Sequence, residues 1–177
     1  RENFPKLMRL LHNLDKGERI SKEDFIWLSA QGDDNYECYL TTEVKVCYHM
    51  IEAEYLSAEF KRTGDPWHAV NASKHFRKCE EPGRADQLLS GIKISQLTDV
   101  KLQSALYTTY GGVKRDLRQF NLAQEFGLRA HELTPSDFRP CTLLGAVHYE
   151  LGNFALGQVW FDKAIERGFK EDQVDHE

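Results

Sequence analysis

The sequence predicts an all-α chain, a stack of antiparallel helix pairs with about nine helices. Side-chain sizes return at a spacing of 34 residues between the stretches beginning at Ser104 and Phe138, so that Gly111 pairs with Gly145, Phe120 with Phe154 and Ala130 with Ala164. Within each stretch large apolar residues fall at i, i+3, i+4 and i+7, the spacing of one buried helical face. Turn formers such as Gly152-Asn153 separate these periodic segments, because glycine admits φ > 0 and asparagine tolerates it.

Taken in chain order, residues 1–40 read as two short capping helices. Phe4, Leu7, Leu10 and Leu11 share one helical face, and Ser21 followed by Asp24 forms a capping arrangement ahead of Phe25, Trp27 and Leu28. A long helix is expected from near Thr42, despite the β-branched Val44 and Val46. Residues 41–103 are read as degenerate repeat helices with an irregular insert. A unit at about 50–83 carries Leu56, Ser57, Phe60, Gly64, Asp65 and Ala69, whereas 84–103 is too short for a full unit, with one helix expected over Pro82 to Leu89. Residues 104–169 hold two tandem units, in which Thr134 and Pro135 are expected to cap and open the second. The polar stretch 170–177 is expected to fray. All of these are expected to form one continuous domain, and an Arg at residue 1 suggests a piece of a longer protein.

The marker residues resemble the tetratricopeptide repeat (TPR), in which small and aromatic residues recur at fixed offsets in one helix-turn-helix. The second unit supplies Leu144, Gly145, His148, Gly157, Phe161 and Ala164; the first supplies Tyr110, Gly111, Ala123, Ala130 and Pro135. Departures are His148 at an aromatic position, Gly127 in place of the second aromatic, and Phe169 in place of the closing proline. The resemblance covers roughly residues 50–169 and implies a right-handed α-α superhelix, a TPR-like solenoid. Physically, small residues let paired helices approach while bulky ones fill the gap to the next pair.

Composition is that of a soluble globular chain. Of 177 residues 29% are charged and 41% hydrophobic, with a net charge of -5, which argues against general affinity for nucleic acid. No apolar run approaches the ~20 residues needed to cross a bilayer. Cys38, Cys47, Cys79 and Cys141 are widely spaced without a C-x-x-C pair, and read as reduced thiols of a cytoplasmic protein.

Chemistry-bearing patterns are sparse. His49, His68, His75, His131 and His148 lack the spacing of a zinc site, so no metal and no cofactor are assigned. His49 and Glu52 share a face at i, i+3 without the second copy that a di-iron bundle needs. Cys79, behind Arg77 and Lys78, reads as a buried thiol rather than a nucleophile. Gly111-Gly112 ahead of Lys114 and Arg115 lacks the full phosphate-loop pattern. The chain is therefore read as a non-enzyme.

What remains is a set of cations, Lys74, Arg77, Lys78, Lys101, Lys114, Arg115, Arg118 and Arg139, in helical segments. The resemblance implies that the first helix of each unit lines a concave groove through Ala105, Thr108, Gly112, Arg115 and Asp116, then Arg139, Thr142, Ala146, Tyr149 and Glu150. Lys74, Thr108, Arg115, Arg139, Thr142 and Tyr149 are the expected partner-binding residues, because arginine presents a planar fork of donors to carboxylates. Gly112 and Leu143 stand where relatives that clamp chaperone carboxyl termini carry other residues, so that clamp is not expected. The function expected is a protein-interaction scaffold or recruiting arm for a protein or acidic peptide. The alternative is a nucleic-acid-associated module using KHFRK and Trp67, and a third reading is an enzyme of unrecognised kind. No membrane contact is expected. A homodimer through the last helix, near Val159, Trp160 and Phe161, is a further expectation.

Overall fold

Side-chain caps set the helix starts. In the computed structural model, which describes residues 3–30 and 39–170, aspartates at 65, 99 and 137 each accept the backbone N–H two residues on, from Trp67, Lys101 and Arg139. Ser21 accepts from Asp24 N at 3.0 Å, as its capping spacing predicts. Thr41 caps the long helix through Val44 N.

Among the described residues these signals delimit nine α-helices and no strand. They are α1 (Phe4–Asp15), α2 (Lys22–Ala30), α3 (Thr42–Thr63), α4 (Pro66–Lys78), α5 (Pro82–Ser90), α6 (Val100–Asp116), α7 (Phe120–Leu133), α8 (Phe138–Glu150) and α9 (Phe154–Glu166), with a 3-10 turn at Ile94–Gln96. The all-α prediction holds. Cys38 and residues 171–177, for which thiol and tail readings were made, lie outside the described residues.

Two compact units divide the chain at Glu81 and Pro82. In the first, Leu7, Leu10, Leu14, Ile20, Leu28, Leu40 and Tyr48 form the core, with Phe25 stacked on Tyr48 at 3.9 Å. Phe4, expected on the buried face of α1, is 63% exposed, and Leu14 takes that place. The inward face of α1 is continued by its last turn rather than its first. Arg19 holds Glu52 through two hydrogen bonds of 2.7 and 2.9 Å and lies 3.6 Å over the Tyr55 ring. Between α3 and α4 stand only Gly64 and Asp65, with Gly64 at φ 72°, a left-handed turn that glycine adopts without a Cβ clash. So short a connection folds the two helices back as an antiparallel pair, and they pack together.

In the second unit α6 pairs with α7 and α8 with α9, while α7 packs on α8 and α5 on α6. Helix α5 thus contributes to the same unit as the two tandem repeats. The start of α8 differs from the sequence expectation. Thr134 closes α7, its hydroxyl bonding the Ala130 carbonyl at 3.1 Å, and Pro135 sits in the turn. Asp137 is the cap of α8, because only its carboxylate reaches the free Arg139 N–H.

Close helix approach explains the recurring small residues. A Cβ on Gly111 would lie 3.2 Å from the Ala123 carbonyl oxygen, and one on Gly157 would lie 3.1 Å from the Gly145 carbonyl oxygen. Gly111 thus comes close to Ala123, and Gly145 to Gly157, the residues that stand 34 positions later. Where Gly127 replaces an aromatic, Leu144 and Leu143 fill the space from α8; in the next pair Phe161 packs against Gly145 directly. Phe169, standing at the closing-proline position, packs on Phe138 with ring centroids 5.6 Å apart.

Candidate functional site

Five of the six expected binding residues lie on α6 and α8, which pack against each other directly. Thr108 and Thr142, one repeat apart, are both half-buried and turn their hydroxyls onto their own helices, Thr108 to the Ser104 carbonyl and Thr142 to the Arg139 carbonyl, each at 2.8 Å. Their hydroxyl lone pairs stay available as acceptors. Tyr149 is 39% exposed, and its hydroxyl donates to Gln158 Oε1 at 2.9 Å.

The two arginines are partly satisfied within the fold. Arg139 is well exposed and bonds the Asp137 carboxylate at 3.3 Å, with its guanidinium 5.0 Å over the Phe138 ring. Arg115 is half-buried and lies 3.5 Å from Asp116. The face is accordingly of mixed charge, since each arginine carries an acid beside it. That balance is already visible in the spacing of Asp137 to Arg139 and Asp116 to Arg115. Lys74 is exposed on α4 and belongs to the first unit.

Several sequence candidates are placed in the core. Lys114, counted among the helical cations, is 8% exposed; its Nζ sits 2.6 Å from Asp86 on α5 and 5.0 Å from the Tyr110 ring centroid. Burial, with Asp86 next in effect, pushes the Tyr110 hydroxyl above its ordinary pKa. Phe76, in the middle of the KHFRK segment, is 1% exposed, so this segment does not present an aromatic between its cations. Trp67 is exposed in the first turn of α4. Gly111 and Gly112 are buried within α6 rather than in a loop.

Cys79 and Cys141 are packing groups. Cys79 is buried and donates to the Phe76 carbonyl at 3.4 Å. Cys141 lies 3.7 Å from His131 Nδ1, but it has no exposed surface, and burial raises its pKa away from the reactive thiolate. His148, at the aromatic position, is buried with its Nδ1 unpartnered, and desolvation lowers its pKa and holds the ring neutral. It serves there as a flat packing side chain. His49 contacts His75, and Glu52 is taken by Arg19. Among the described residues no group of three or more His, Cys, Asp or Glu side chains is arranged to hold a metal ion. No described helix is long and apolar enough to cross a membrane.

These pairs of helices, with small residues at each crossing, define a TPR-like helical-repeat fold. A solved structure titled "MamA MSR-1 C2", a TPR-like protein, is similar to this chain at a TM-score of 0.51, with 16% sequence identity over 90% of this chain and 97% of that one. At that identity the likeness concerns the fold alone. No family model matches the sequence, and no curated protein matches it.

Proposed function

We propose that this chain is a non-catalytic protein-interaction scaffold, which takes a partner segment on the α6–α8 face. The observation that carries the reading is the repeated placement of Thr108 with Arg115 and of Thr142 with Tyr149 on two directly packed helices. Such a face offers acceptors, guanidinium donors and an aromatic surface along one line, which suits an extended acidic peptide or a peptide carboxyl terminus. Arg139, at the start of α8, exchanges its Asp137 contact for the ligand carboxylate. Lys74, on α4 of the first unit, is a separate candidate contact. The repeat fold supports a binding role, since helix pairs in series present continuous surface for recognition. We place the protein in the cytoplasm, in keeping with its three described free thiols.

A library of random acidic and neutral peptides tests this. Acidic sequences are expected to be enriched on the wild-type chain and lost on an Arg115→Glu, Arg139→Glu variant that retains its helical circular dichroism. Equal enrichment on both proteins removes the face from consideration. Binding of single-stranded RNA instead, with a steep loss on adding salt, favours the nucleic-acid reading.

A further inference from the structure

We infer that the cleft between α1 and α3 is a binding site for a small amphipathic cation, an ammonium group on an aliphatic body. The cleft measures about 520 Å³, within the span of about 300–1,000 Å³ usual for small-molecule sites. It lies wholly in the first unit, and it shares no residue with the α6–α8 face. Its floor is apolar. Helix α3 supplies two rows at i, i+4, Val46 with Met50 and Cys47 with Ile51, and Leu14 adds to them from the last turn of α1. Cys47 and Ile51 also rest against the core, yet all four α3 side chains remain only half-buried. Met50, unbranched and polarisable, fits aliphatic chains of differing shape.

Charge on the two walls selects the occupant. Asp15 on α1 and Glu43 on α3 both line the cleft and are exposed, and among the described residues neither carboxylate is taken up in an ion pair. Lys16 and Lys45, their neighbours in sequence, are exposed and do not line it. The Glu43 carboxyl is held below its ordinary pKa by its own backbone N–H and then by the Thr41 hydroxyl, which leaves it an anion at neutral pH. The field of Asp15 reaches the floor: burial, with Asp15 next in effect, pushes the Cys47 thiol above its ordinary pKa. What disfavours a thiolate there favours a cation. A fatty anion of the same body meets two like charges, and a neutral one gains nothing from them. From Glu43 to Ile51 the α3 wall runs about 12 Å, the length of an extended decyl chain.

Decyltrimethylammonium, kept below its micellar concentration, is the probe, and NMR of methyl-labelled methionine reads its binding to the whole chain. The two methionines serve as site and control: Met50 lines the cleft, whereas Met8 is 48% exposed on α1 and does not. The Met50 signal is expected to move saturably while Met8 stays in place, and decyl sulfate at equal concentration to shift Met50 much less. Asp15→Asn with Glu43→Gln, both at exposed positions, is expected to keep its helical circular dichroism, to bind the ammonium roughly three- to tenfold more weakly and to lose the preference over the sulfate. Absence of a saturable Met50 response overturns the inference, as does an equal response of Met8, which marks adsorption without a site. Sulfate binding as tightly as the ammonium in the wild type, or a double variant that binds as the wild type does, overturns it too and leaves an apolar groove open to a neutral ligand.

Discussion

His49 on α3 and His75 on α4 meet Nδ1 to Nδ1 at 2.8 Å, so one neutral imidazole donates and the other accepts. The pair sits beside the Phe25 and Tyr48 rings. Lys45, Lys74, Lys78 and Arg19 oppose a further positive charge there, and Glu52 alone favours it at His75. Burial, then His75, pulls His49 down to about 4, and burial lowers His75 too. In the unfolded chain both rings titrate near their ordinary value, so between roughly pH 6.5 and pH 4 the unfolded state binds protons that the native state refuses. Native stability should therefore be full above that window and fall as the solution is acidified through it. His49 contributes about 2 kcal/mol of the loss once its partial exposure is allowed for. Urea melts at pH 7.5 and pH 5 check this: His49→Phe should flatten the difference between them. A pH dependence identical to wild type would refute the role of the pair.

Helix approach in the second unit makes a matched pair of substitutions informative. A Cβ on Gly157 meets the Tyr149 ring and the Gly145 carbonyl, and the carbonyl, being backbone, cannot step aside. Gly157→Ala should cost about 1–3 kcal/mol by overpacking. Gly83→Ala, where a Cβ meets nothing within 4 Å in α5, should stabilise by about 0.4–1 kcal/mol, because alanine narrows the unfolded ensemble. Thermal melts of the two variants should move in opposite directions.

The ion pair of Lys114 and Asp86 ties α5 to α6. Asp86→Ala leaves a largely buried ammonium without its counter-ion and should destabilise by about 2–4 kcal/mol, the lower part of this range reflecting the partly exposed carboxylate. Replacing both, as Lys114→Met with Asp86→Leu, should recover most of that loss. Chemical denaturation of the wild type, Asp86→Leu, Lys114→Met and the double variant closes a double-mutant cycle; additive losses would show that the two side chains do not act together.

Much of the fold is legible from local chemistry. Gly64-Asp65 and Gly152-Asn153 mark helix boundaries because the turn and the cap are built from adjacent residues. The return of Gly111 at Gly145 marks a repeated crossing. The start of α8 is ambiguous in sequence because Thr134, Pro135 and Asp137 all carry boundary signals within four positions, and the choice among them depends on which oxygen reaches a free N–H. The candidate binding face follows from the resemblance alone, and its residues recur one repeat apart on α6 and α8. The acids that temper its arginines were written two positions and one position away.

By itself the sequence determined that the chain is helical, where most of its helices turn, and which residues are equivalent one repeat apart, since each of these follows from spacing along the backbone. Tertiary structure alone decided that His49 faces His75, that Lys114 is spent on Asp86, and that Phe161 lies on Gly145. Periodicity marks the side of a helix that shuns water, but the atoms that cover that side come from residues distant in the chain.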